Sequence, residues 1–404
     1  MSTQAKPATA RSGGRGGRGG MGARIVFGFD SARRVPAAAD RSLSAVVAPV
    51  RTPLSELTTL RLGGPAARLV TAYHEAAIVD AVRTADRDGE PLLILAGGSN
   101  VVVADEGFDG TVLRIASGGI ERRRAPDGRI LLEVAAGEPW DRFVERCVGE
   151  GLAGIECLSG IPGSVGATPI QNVGAYGQEV AETIASVRVL DRDDGEAREL
   201  APTDCAFTYR SSAFKREPGR WVVLAVTFAL EPSERSAPIR YAELARRLGV
   251  QVGERALLRD AREAVLELRR GKGMVIDPSD PDSVSAGSFF TNPVLDEAAF
   301  AALEARVADR LGDGVRPPAF PGSGGHVKTS AAWLIERAGF TRGHGDPRGI
   351  AISAKHTLAL TNRGAGSTTE LVALAREIAG GVREAFGVEL VPEPVFVGHA
   401  WHDG

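Results

Sequence analysis

Residues 159–177 read Ser-Gly-Ile-Pro-Gly-Ser-Val-Gly-Ala-Thr-Pro-Ile-Gln-Asn-Val-Gly-Ala-Tyr-Gly, with glycine at five of the nineteen positions. Neither the helical nor the strand period of apolar residues persists through this stretch, which indicates a loop. Glycine adopts positive φ angles and lets the backbone approach a ligand closely. Because successive N–H groups in such turns form an anion-binding concavity, the segment predicts a diphosphate-binding loop, with a purely structural loop as the alternative.

A second glycine turn, Gly-Gly-Ser-Asn at residues 97–100, lies between the short apolar runs 92–95 and 101–103. This pattern predicts a strand, a turn and a second strand. Two anion-binding turns from separate segments suit the diphosphate of FAD, held between two lobes. Either turn alone is also explained as a structural loop, and the chain has no Gly-x-x-x-x-Gly-Lys-Ser/Thr phosphate loop.

Outward from these loops, short apolar strands and amphipathic helices follow one another. Pro139 opens a predicted helix whose apolar face includes Trp140 and Cys147, so this cysteine is interpreted as a core residue. Further strands are predicted at residues 111–115, 130–134, 186–190, 221–230, 358–361 and 395–397. Further helices are predicted at residues 255–270, 296–311, 330–338 and 367–386. The pattern favours an α+β fold in which a glycine-rich, cofactor-binding part precedes a more helical part.

Composition excludes several classes of protein. A length of 404 residues suggests two or three domains, and the formal net charge of −3 gives no basic field for nucleic acid. The three cysteines and six histidines lack the spacing of a disulfide framework or a zinc site, so no metal is expected. No apolar run approaches the roughly 20 residues of a membrane span, and no signal peptide is expected.

The first 44 residues differ from the rest. They are rich in Gly, Arg, Ala and Ser, which predicts a disordered tail over residues 1–44, with an RNA-binding arm as the sharper alternative. The string Gly14-x-Gly16-x-x-Gly19 matches a dinucleotide fingerprint in letters only, because it neither follows a predicted strand nor opens a helix.

Three side chains are candidates for catalysis. Arg210, in the segment from Tyr209 to Lys215, could bind a carboxylate through two nitrogens, although a surface ion pair also explains it. Ser288 lies between glycine and two phenylalanines, where its hydroxyl could donate a proton or cap a turn. Glu393 lies between two prolines before an apolar strand and could face either a site or solvent.

Ser212-x-x-Lys215 and Lys328-Thr329-Ser330 partly match the motifs of acylating serine enzymes that act on penicillin. The Ser-Asp-Asn motif is missing, and Ser330 stands where those enzymes need glycine. We therefore set this interpretation aside.

Seven segments occur in the order in which one known family carries them: Thr-Leu-Arg-Leu-Gly-Gly from Thr59, Gly-Gly-Ser-Asn from Gly97, residues 159–177, Tyr209-Arg210, Gly287-Ser288-Phe-Phe, Lys328 with Trp333-Leu-Ile, and Pro392-Glu393-Pro394. Together they make residues 58–398 resemble the UDP-N-acetylenolpyruvoylglucosamine reductase family of peptidoglycan precursor synthesis. The segment Ile239-Arg-Tyr241 is similar to a loop of the branch that closes a tyrosine over the substrate. Departures from the family pattern at Ser211, Thr291 and Val391 affect only the fine substrate contacts.

The resemblance implies an FAD-linked oxidase-type (PCMH-like) FAD-binding domain of two lobes, residues 45–115 and 116–235. A C-terminal α+β substrate-binding domain at residues 236–398 would follow, and its last residues could return to the first lobe.

The resemblance also assigns roles to individual residues. Arg210, Ser288 and Glu393 occupy the catalytic positions. The positions expected to hold FAD are Gly97, Gly98, Ser99, Asn100, Gly160, Ile161, Pro162, Gly163, Gly166, Asn172, Gly174, Ala175, Tyr176 and Gly177. The positions expected to contact a UDP-sugar are Tyr209, Tyr241, Arg269, Lys272, Asn292 and Lys328. Because no histidine lies between Glu75 and Gly325, the FAD is expected to be non-covalent.

The implied activity is reduction of UDP-N-acetylglucosamine enolpyruvate to UDP-N-acetylmuramate, with NADPH as co-substrate. Hydride from flavin N5 would reach the vinyl CH₂ carbon, Arg210 and Glu393 would stabilise and order the enolate, and Ser288 would protonate the α-carbon. A cytoplasmic monomer without nucleic-acid or membrane partners is expected. An FAD-linked oxidase of a hydroxy acid or sugar is the alternative within the same fold.

Overall fold

The computed structural model describes residues 45–47 and 51–401, so the predicted tail and its glycine string lie outside the described residues. The strands are β1 (Ala45–Val47), β2 (Ala66–Ala72), β3 (Leu92–Leu95), β4 (Val101–Val103), β5 (Phe108–Ile115), β6 (Ile120–Arg124), β7 (Ile130–Ala135), β8 (Leu152–Ala153), β9 (Gly174–Ala175), β10 (Gln178–Glu179), β11 (Ile184–Asp191), β12 (Glu196–Leu200), β13 (Trp221–Pro232), β14 (Val294–Leu295), β15 (Phe320–Pro321), β16 (Val327–Lys328), β17 (Ile350–Ile352), β18 (Leu360–Asn362) and β19 (Val395–Val397). The helices are α1 (Glu75–Asp88), α2 (Trp140–Gly149), α3 (Pro202–Cys205), α4 (Ala213–Arg216), α5 (Ala242–Leu248), α6 (Leu258–Gly271), α7 (Glu297–Leu311), α8 (Ala331–Arg337) and α9 (Thr368–Phe386).

The first sheet has the strand order β1-β2-β5-β3. β2 and β3 both run parallel to β5, and β1 pairs with β2 in the antiparallel sense. Because β2 and β3 run in the same direction on either side of β5, the chain between them needs a crossover connection, which α1 supplies. Ile78 and Val82 of this helix are fully buried in the core beneath the sheet.

The second sheet has the order β12-β11-β13-β7-β6, with β8 also paired to β13, and its pairs are antiparallel. Helix α2 packs on it through Trp140 and Phe143, whose rings lie 5.8 and 5.1 Å from that of Phe228. Cys147 is fully buried on the same face, and burial raises the pKa of its thiol to about 12. The interpretation of Cys147 as a core residue is therefore confirmed.

The two sheets share one hydrophobic core. Val70 and Leu113 from the first sheet belong to the same buried cluster as Val226 and Phe228 from the second. The two predicted lobes are thus joined by packing and not only by a linker, which gives a rigid frame to the loops between them.

A third group of elements contains the β14-β16-β15 sheet, the β17–β18 pair and helices α7, α8 and α9. Asp296, Ser330 and Ser367 cap the three helices, because each side chain accepts a hydrogen bond from an amide three residues later. These helices begin within a residue of the predicted positions.

Two predicted elements begin two or more residues later than expected, whereas β5 and β11 begin earlier, at Phe108 and Ile184. The helix predicted at 255–270 begins only at Leu258, because residues 254–256 run extended, with the amides of Ser236 and Ile239 bonded to the carbonyls of Ala256 and Glu254 at 2.8 Å each. The strand predicted at 358–361 begins at Leu360, since residues 356–359 form a turn.

Helices α5 and α6 form a small core of their own around Leu244 and Val265, which also includes Cys157 from the region of the second sheet. This core extends across residue 235. The predicted domain boundaries at residues 115 and 235 are therefore kept as a proposal. The described residues contain no helix long and apolar enough to cross a membrane, and no cluster of acidic, cysteine and histidine side chains that could hold a metal.

The end of the described chain returns to the first part. β19 runs parallel to β4, with Val395 opposite Val101 and Val397 opposite Val103. The Val395 amide also donates to the carbonyl of Asn100 at 3.0 Å. This pairing brings Glu393 next to the glycine turn at residues 97–100.

Candidate active site

A cavity of about 310 Å³ lies where the two glycine loops, the Arg210 turn and the Ser288 segment meet. Nine of the residues predicted to hold FAD line it: Gly97, Gly98, Ser99, Asn100, Ile161, Pro162, Gly163, Gly174 and Ala175. All three predicted catalytic residues line it as well: Arg210, Ser288 and Glu393. The fold thus gathers segments that are far apart in the sequence around one space.

The two glycine loops contact each other directly. A Cβ at Gly97 would lie 2.6 Å from the Cα of Gly163, and the Ser99 hydroxyl donates to the carbonyl of Pro162 at 3.0 Å. Gly98 has a φ of +60°, and a Cβ there would lie 1.9 Å from the carbonyl oxygen of Leu57. Only glycine fits at these positions, so the cavity wall here is bare backbone that an anionic group can approach closely.

Five residues of the predicted FAD set do not line the cavity: Gly160, Gly166, Asn172, Tyr176 and Gly177. Gly166 packs against Ala136, where a Cβ would approach to 2.5 Å. Asn172 is buried and donates to the carboxylate of Glu179 at 2.7 Å. These residues shape the loop from behind its ligand-facing surface.

Arg210 has a left-handed backbone conformation, with φ at 52°. Its guanidinium donates to the carbonyl of Gly174 at 2.6 Å, and its Nε lies 3.6 Å from Oε1 of Glu393. The side chain is 23% exposed and lines the cavity, which leaves it open to an anionic ligand. Such a guanidinium is suited to a carboxylate.

Glu393 is held by amide side chains. Gln171 donates to its carboxylate at 3.1 Å, and Asn100 donates both to Gln171 at 3.0 Å and to the backbone carbonyl of Glu393 at 3.3 Å. Burial raises the pKa of Glu393 above its usual value, and the cations of Arg210 and Lys215 oppose this effect. A carboxyl in such surroundings keeps its proton to a higher pH than an exposed glutamate does.

Ser288 is half-buried at the edge of the cavity. The backbone on its C-terminal side is fixed, because Phe289 donates to the carbonyl of Leu358 at 2.7 Å and accepts from the amide of Glu393 at 2.8 Å. The serine hydroxyl makes no hydrogen bond to another described residue, which leaves it available to a ligand.

Five of the six predicted substrate contacts, all but Arg269, lie outside the residues that line the cavity, and they form two groups. In the first, Lys328 lies 4.7 Å from the ring of Tyr209, and burial raises the pKa of this tyrosine, to which Asn292 is hydrogen-bonded. In the second, the rings of Tyr176 and Tyr241 meet edge to face at 5.4 Å, with Lys272 5.7 Å from the ring of Tyr176.

Arg269 belongs with this second group and also lines the cavity. It is 8% exposed, one nitrogen donates to the carbonyl of Met274 at 2.9 Å, and its Nε is buried without a hydrogen-bond partner among the described residues. Burial lowers the pKa of Arg269. A buried cation without a bonded carboxylate is costly unless an anion pairs with it.

Comparison with known proteins connects this geometry to a family. A sequence profile described as "UDP-N-acetylenolpyruvoylglucosamine reductase, C-terminal domain" matches residues 278–397. A UDP-N-acetylenolpyruvoylglucosamine reductase of Streptomyces coelicolor is 61% identical over 86% of this chain and 90% of its own length. The chain belongs to the UDP-N-acetylenolpyruvoylglucosamine reductase family. A reductase of this name from Thermobifida fusca is 56% identical over 86% of this chain and 97% of its own.

The fold and the cofactor of this reductase family member follow from two further matches. A crystal structure of a UDP-N-acetylenolpyruvylglucosamine reductase from Thermus caldophilus aligns with 87% of this chain and 99% of its own, with a TM-score of 0.58 and 24% identity, and thus has the same fold. A profile described as "FAD binding domain" matches residues 66–201, which include both glycine loops. The cofactor is therefore FAD, and the predicted FAD-linked α+β fold is confirmed.

Several residues that line the reductase cavity were absent from the predicted site, and two of them carry groups that act on Glu393. Gln171 lies inside the quoted glycine loop, and Lys215 follows Arg210 by five positions. The alternation of polar and apolar residues does not mark either one, because Gln171 lies in an irregular loop and Lys215 lies in a helix of only four residues. The acylating-serine interpretation also fails, since Ser212 is fully buried and donates to the carbonyl of Ile170 at 2.5 Å.

Proposed function

We propose that this protein reduces UDP-N-acetylglucosamine enolpyruvate to UDP-N-acetylmuramate, with FAD as cofactor and NADPH as the source of hydride. The observation that carries the proposal is that Arg210, Glu393 and Ser288 line one cavity with the two glycine loops of the FAD-binding region. A cation, a carboxylate and a free hydroxyl are the groups that the reduction of an enolpyruvyl ether requires.

Bound FAD supplies the hydride chemistry, and the protein supplies position and electrostatic field. Addition of hydride to the vinyl CH₂ carbon places negative charge on the α-carbon and its carboxylate. Arg210 stabilises that charge, because its guanidinium is preorganised by the carbonyl of Gly174. Glu393, held by Gln171, orders the same group. Ser288 then delivers its proton to the α-carbon, giving the lactyl ether, and regains a proton from solvent.

The UDP part of the substrate needs cations and aromatic rings at the cavity entrance. Arg269 and Lys272 provide positive charge for a diphosphate, and Tyr241 lies beside them against Tyr176. We propose that this tyrosine closes over the substrate, as in the branch of the family with such a loop. Tyr209, Asn292 and Lys328, the first group described above, make the remaining contacts with the UDP-sugar.

We further propose non-covalent FAD and a monomer that acts in the cytoplasm. No histidine is among the described residues that line the cavity, so a covalent link through that side chain has no donor there. All the groups assigned to the proposed site lie within one chain, which suits a monomer. The three cysteines are buried thiols, which suits a reducing compartment.

The test separates reductase from oxidase activity. The purified protein is expected to show a flavin spectrum, to bleach when NADPH is added without oxygen, and to recover its colour when the UDP-enolpyruvyl sugar follows. NADPH consumption in the presence of the sugar should match the formation of the lactyl product. Bleaching by a hydroxy acid or a sugar, with recovery only in oxygen, would instead identify an oxidase.

A further inference from the structure

The backbone of Arg210 has a conformation that an arginine does not adopt by itself. Its φ of 52° lies in the left-handed region, which is unfavourable for residues with a Cβ. The turn around it is closed by two hydrogen bonds, from the amide of Thr208 to the carbonyl of Ser211 at 3.0 Å and in the reverse direction at 3.2 Å. Such a conformation persists only where neighbouring groups hold it.

Lys215 is placed to hold this turn. It lies in the short helix α4, whose first residue follows the capping serine Ser212. Its ammonium group donates to the backbone carbonyl of Arg210 at 3.2 Å, and its side chain lines the cavity. An ammonium has three N–H donors, and this is the one hydrogen bond that it makes to a described residue.

We propose that Lys215 is a positioning residue, which holds the left-handed turn of Arg210 and presents a second positive charge to the carboxylate of Glu393. This inference rests on the proposed function, because it assigns Lys215 to the step in which Arg210 and Glu393 act on the substrate carboxylate. It adds a residue to the site that the motif of Arg210, Ser288 and Glu393 leaves out.

The charges around Glu393 support the proposal and give the direction of the expected change in its pKa. Arg210 and Lys215 are the cations that face it, Gln171 donates a hydrogen bond to it, and the phenol of Tyr209 is close enough to interact with it. Burial lowers the pKa of Lys215, while Glu393 opposes that shift, so the two groups stabilise each other's charged forms. Loss of the lysine charge should therefore raise the pKa of Glu393 further.

The experiment uses three substitutions in the FAD-loaded protein. Lys215→Gln keeps a hydrogen-bond donor without the charge, Lys215→Arg keeps both, and Lys215→Met keeps neither. Arg87→Met, which removes one exposed charge at the end of α1, is the control for net charge. For each, the carboxyl carbon of Glu393 is titrated by ¹³C NMR, assigned with Glu393→Gln, and flavin reoxidation by the UDP-enolpyruvyl sugar is measured without oxygen.

Lys215→Met is expected to raise the pKa of Glu393 and to slow reoxidation by about 10²-fold, the cost of misplacing a catalytic group, with NADPH-driven bleaching unchanged. Lys215→Gln should raise the pKa of Glu393 to the same extent but slow flavin reoxidation less. Lys215→Arg should keep both the pKa of Glu393 and the reoxidation rate close to those of the wild type. An unchanged Glu393 titration in Lys215→Met, with a rate loss no larger than its loss of flavin, would overturn the proposal. If the wild type itself is not reoxidised by the sugar, the proposed function fails, and the NMR titration still decides the part played by Lys215.

Discussion

Ser288 is the residue whose chemistry is easiest to isolate, because the flavin spectrum separates the two half-reactions. Ser288→Ala is expected to bleach normally with NADPH but to recover its colour at least about 10²-fold more slowly with the UDP-enolpyruvyl sugar, since only that step needs a proton. Stopped-flow absorbance without oxygen measures both rates. Ser288→Cys keeps an acidic hydrogen and should restore part of the second rate.

The exposed serine Ser279 offers a control, and Ser279→Ala should leave both rates intact. Equal slowing of both half-reactions in Ser288→Ala would mean that Ser288 positions the cofactor. No slowing of either would remove Ser288 from the mechanism.

Glu393 should determine the acid side of the pH profile. Burial raises its pKa above the usual 4.5, so its ionised fraction falls at a higher pH than for an exposed glutamate. If the carboxylate is the active form, the rate of flavin reoxidation by the sugar falls as the pH drops through the raised pKa. The Glu393→Gln variant should then be reoxidised slowly, at a rate that does not change with pH over that range. A rate that increases on acidification would show that the protonated carboxyl acts.

The same shift has a consequence for stability. A carboxyl whose pKa is raised by folding binds its proton more tightly in the folded state, so its contribution to stability is lost as pH rises above its unfolded pKa. Glu393→Gln is therefore expected to raise the free energy of unfolding at neutral pH while it lowers activity. Denaturant unfolding at pH 4 and pH 7 measures the difference, which should be larger at pH 7.

At the scale of elements, the turn at residues 97–100 depends on close backbone contact. Gly98→Ala would place a Cβ 1.9 Å from the carbonyl oxygen of Leu57 in addition to its strain at positive φ. Gly89, which ends α1 at a φ of +66°, has nothing within 4 Å of the same added atom. Gly98→Ala should therefore lose bound FAD, whereas Gly89→Ala should cost only about 1 kcal/mol of stability and keep the flavin.

Flavin content per chain and thermal unfolding distinguish the two glycine variants. Full flavin content in Gly98→Ala would show that the turn can shift without harm, and that the cradle for FAD lies elsewhere.

The helices also show why some secondary-structure elements can be predicted from the sequence and others cannot. Helices α7, α8 and α9 carry capping side chains and regular apolar faces, so their starts are predictable within a residue. Helix α1 was not predicted, because its buried face relies on alanines as well as Ile78 and Val82, and its cap is His74. Alanine fits buried and exposed positions alike and weakens the periodic signal.

At the scale of the whole molecule, residues 1–44 hold none of the sequence motifs assigned to the proposed site. Their removal is expected to leave flavin content and turnover nearly unchanged, since every assigned group lies between Gly97 and Glu393. Spectra and steady-state rates of the shortened protein test this expectation. Loss of flavin or of folding would show that the first residues support the fold.

The glycine loops, the α+β class, the order of the family segments and the residue types suited to catalysis are all predictable from the amino-acid sequence. These follow from local rules, because a positive φ, a helix cap or an apolar period involves residues within a few positions of each other. The resemblance to the family also assigned catalytic positions to Arg210, Ser288 and Glu393. No local pattern shows that these three residues line one cavity.

The assembly of the site depends on contacts between distant parts of the chain, which the sequence does not reveal. Asn100 and Glu393 are 293 residues apart in the chain, yet their hydrogen bond and the pairing of β19 with β4 place the carboxylate at the flavin loops. The hydrogen bond from Gln171 to the carboxylate of Glu393 likewise joins residues that are 222 positions apart. Such contacts depend on three-dimensional packing, which brings together groups that have no periodic relation along the chain.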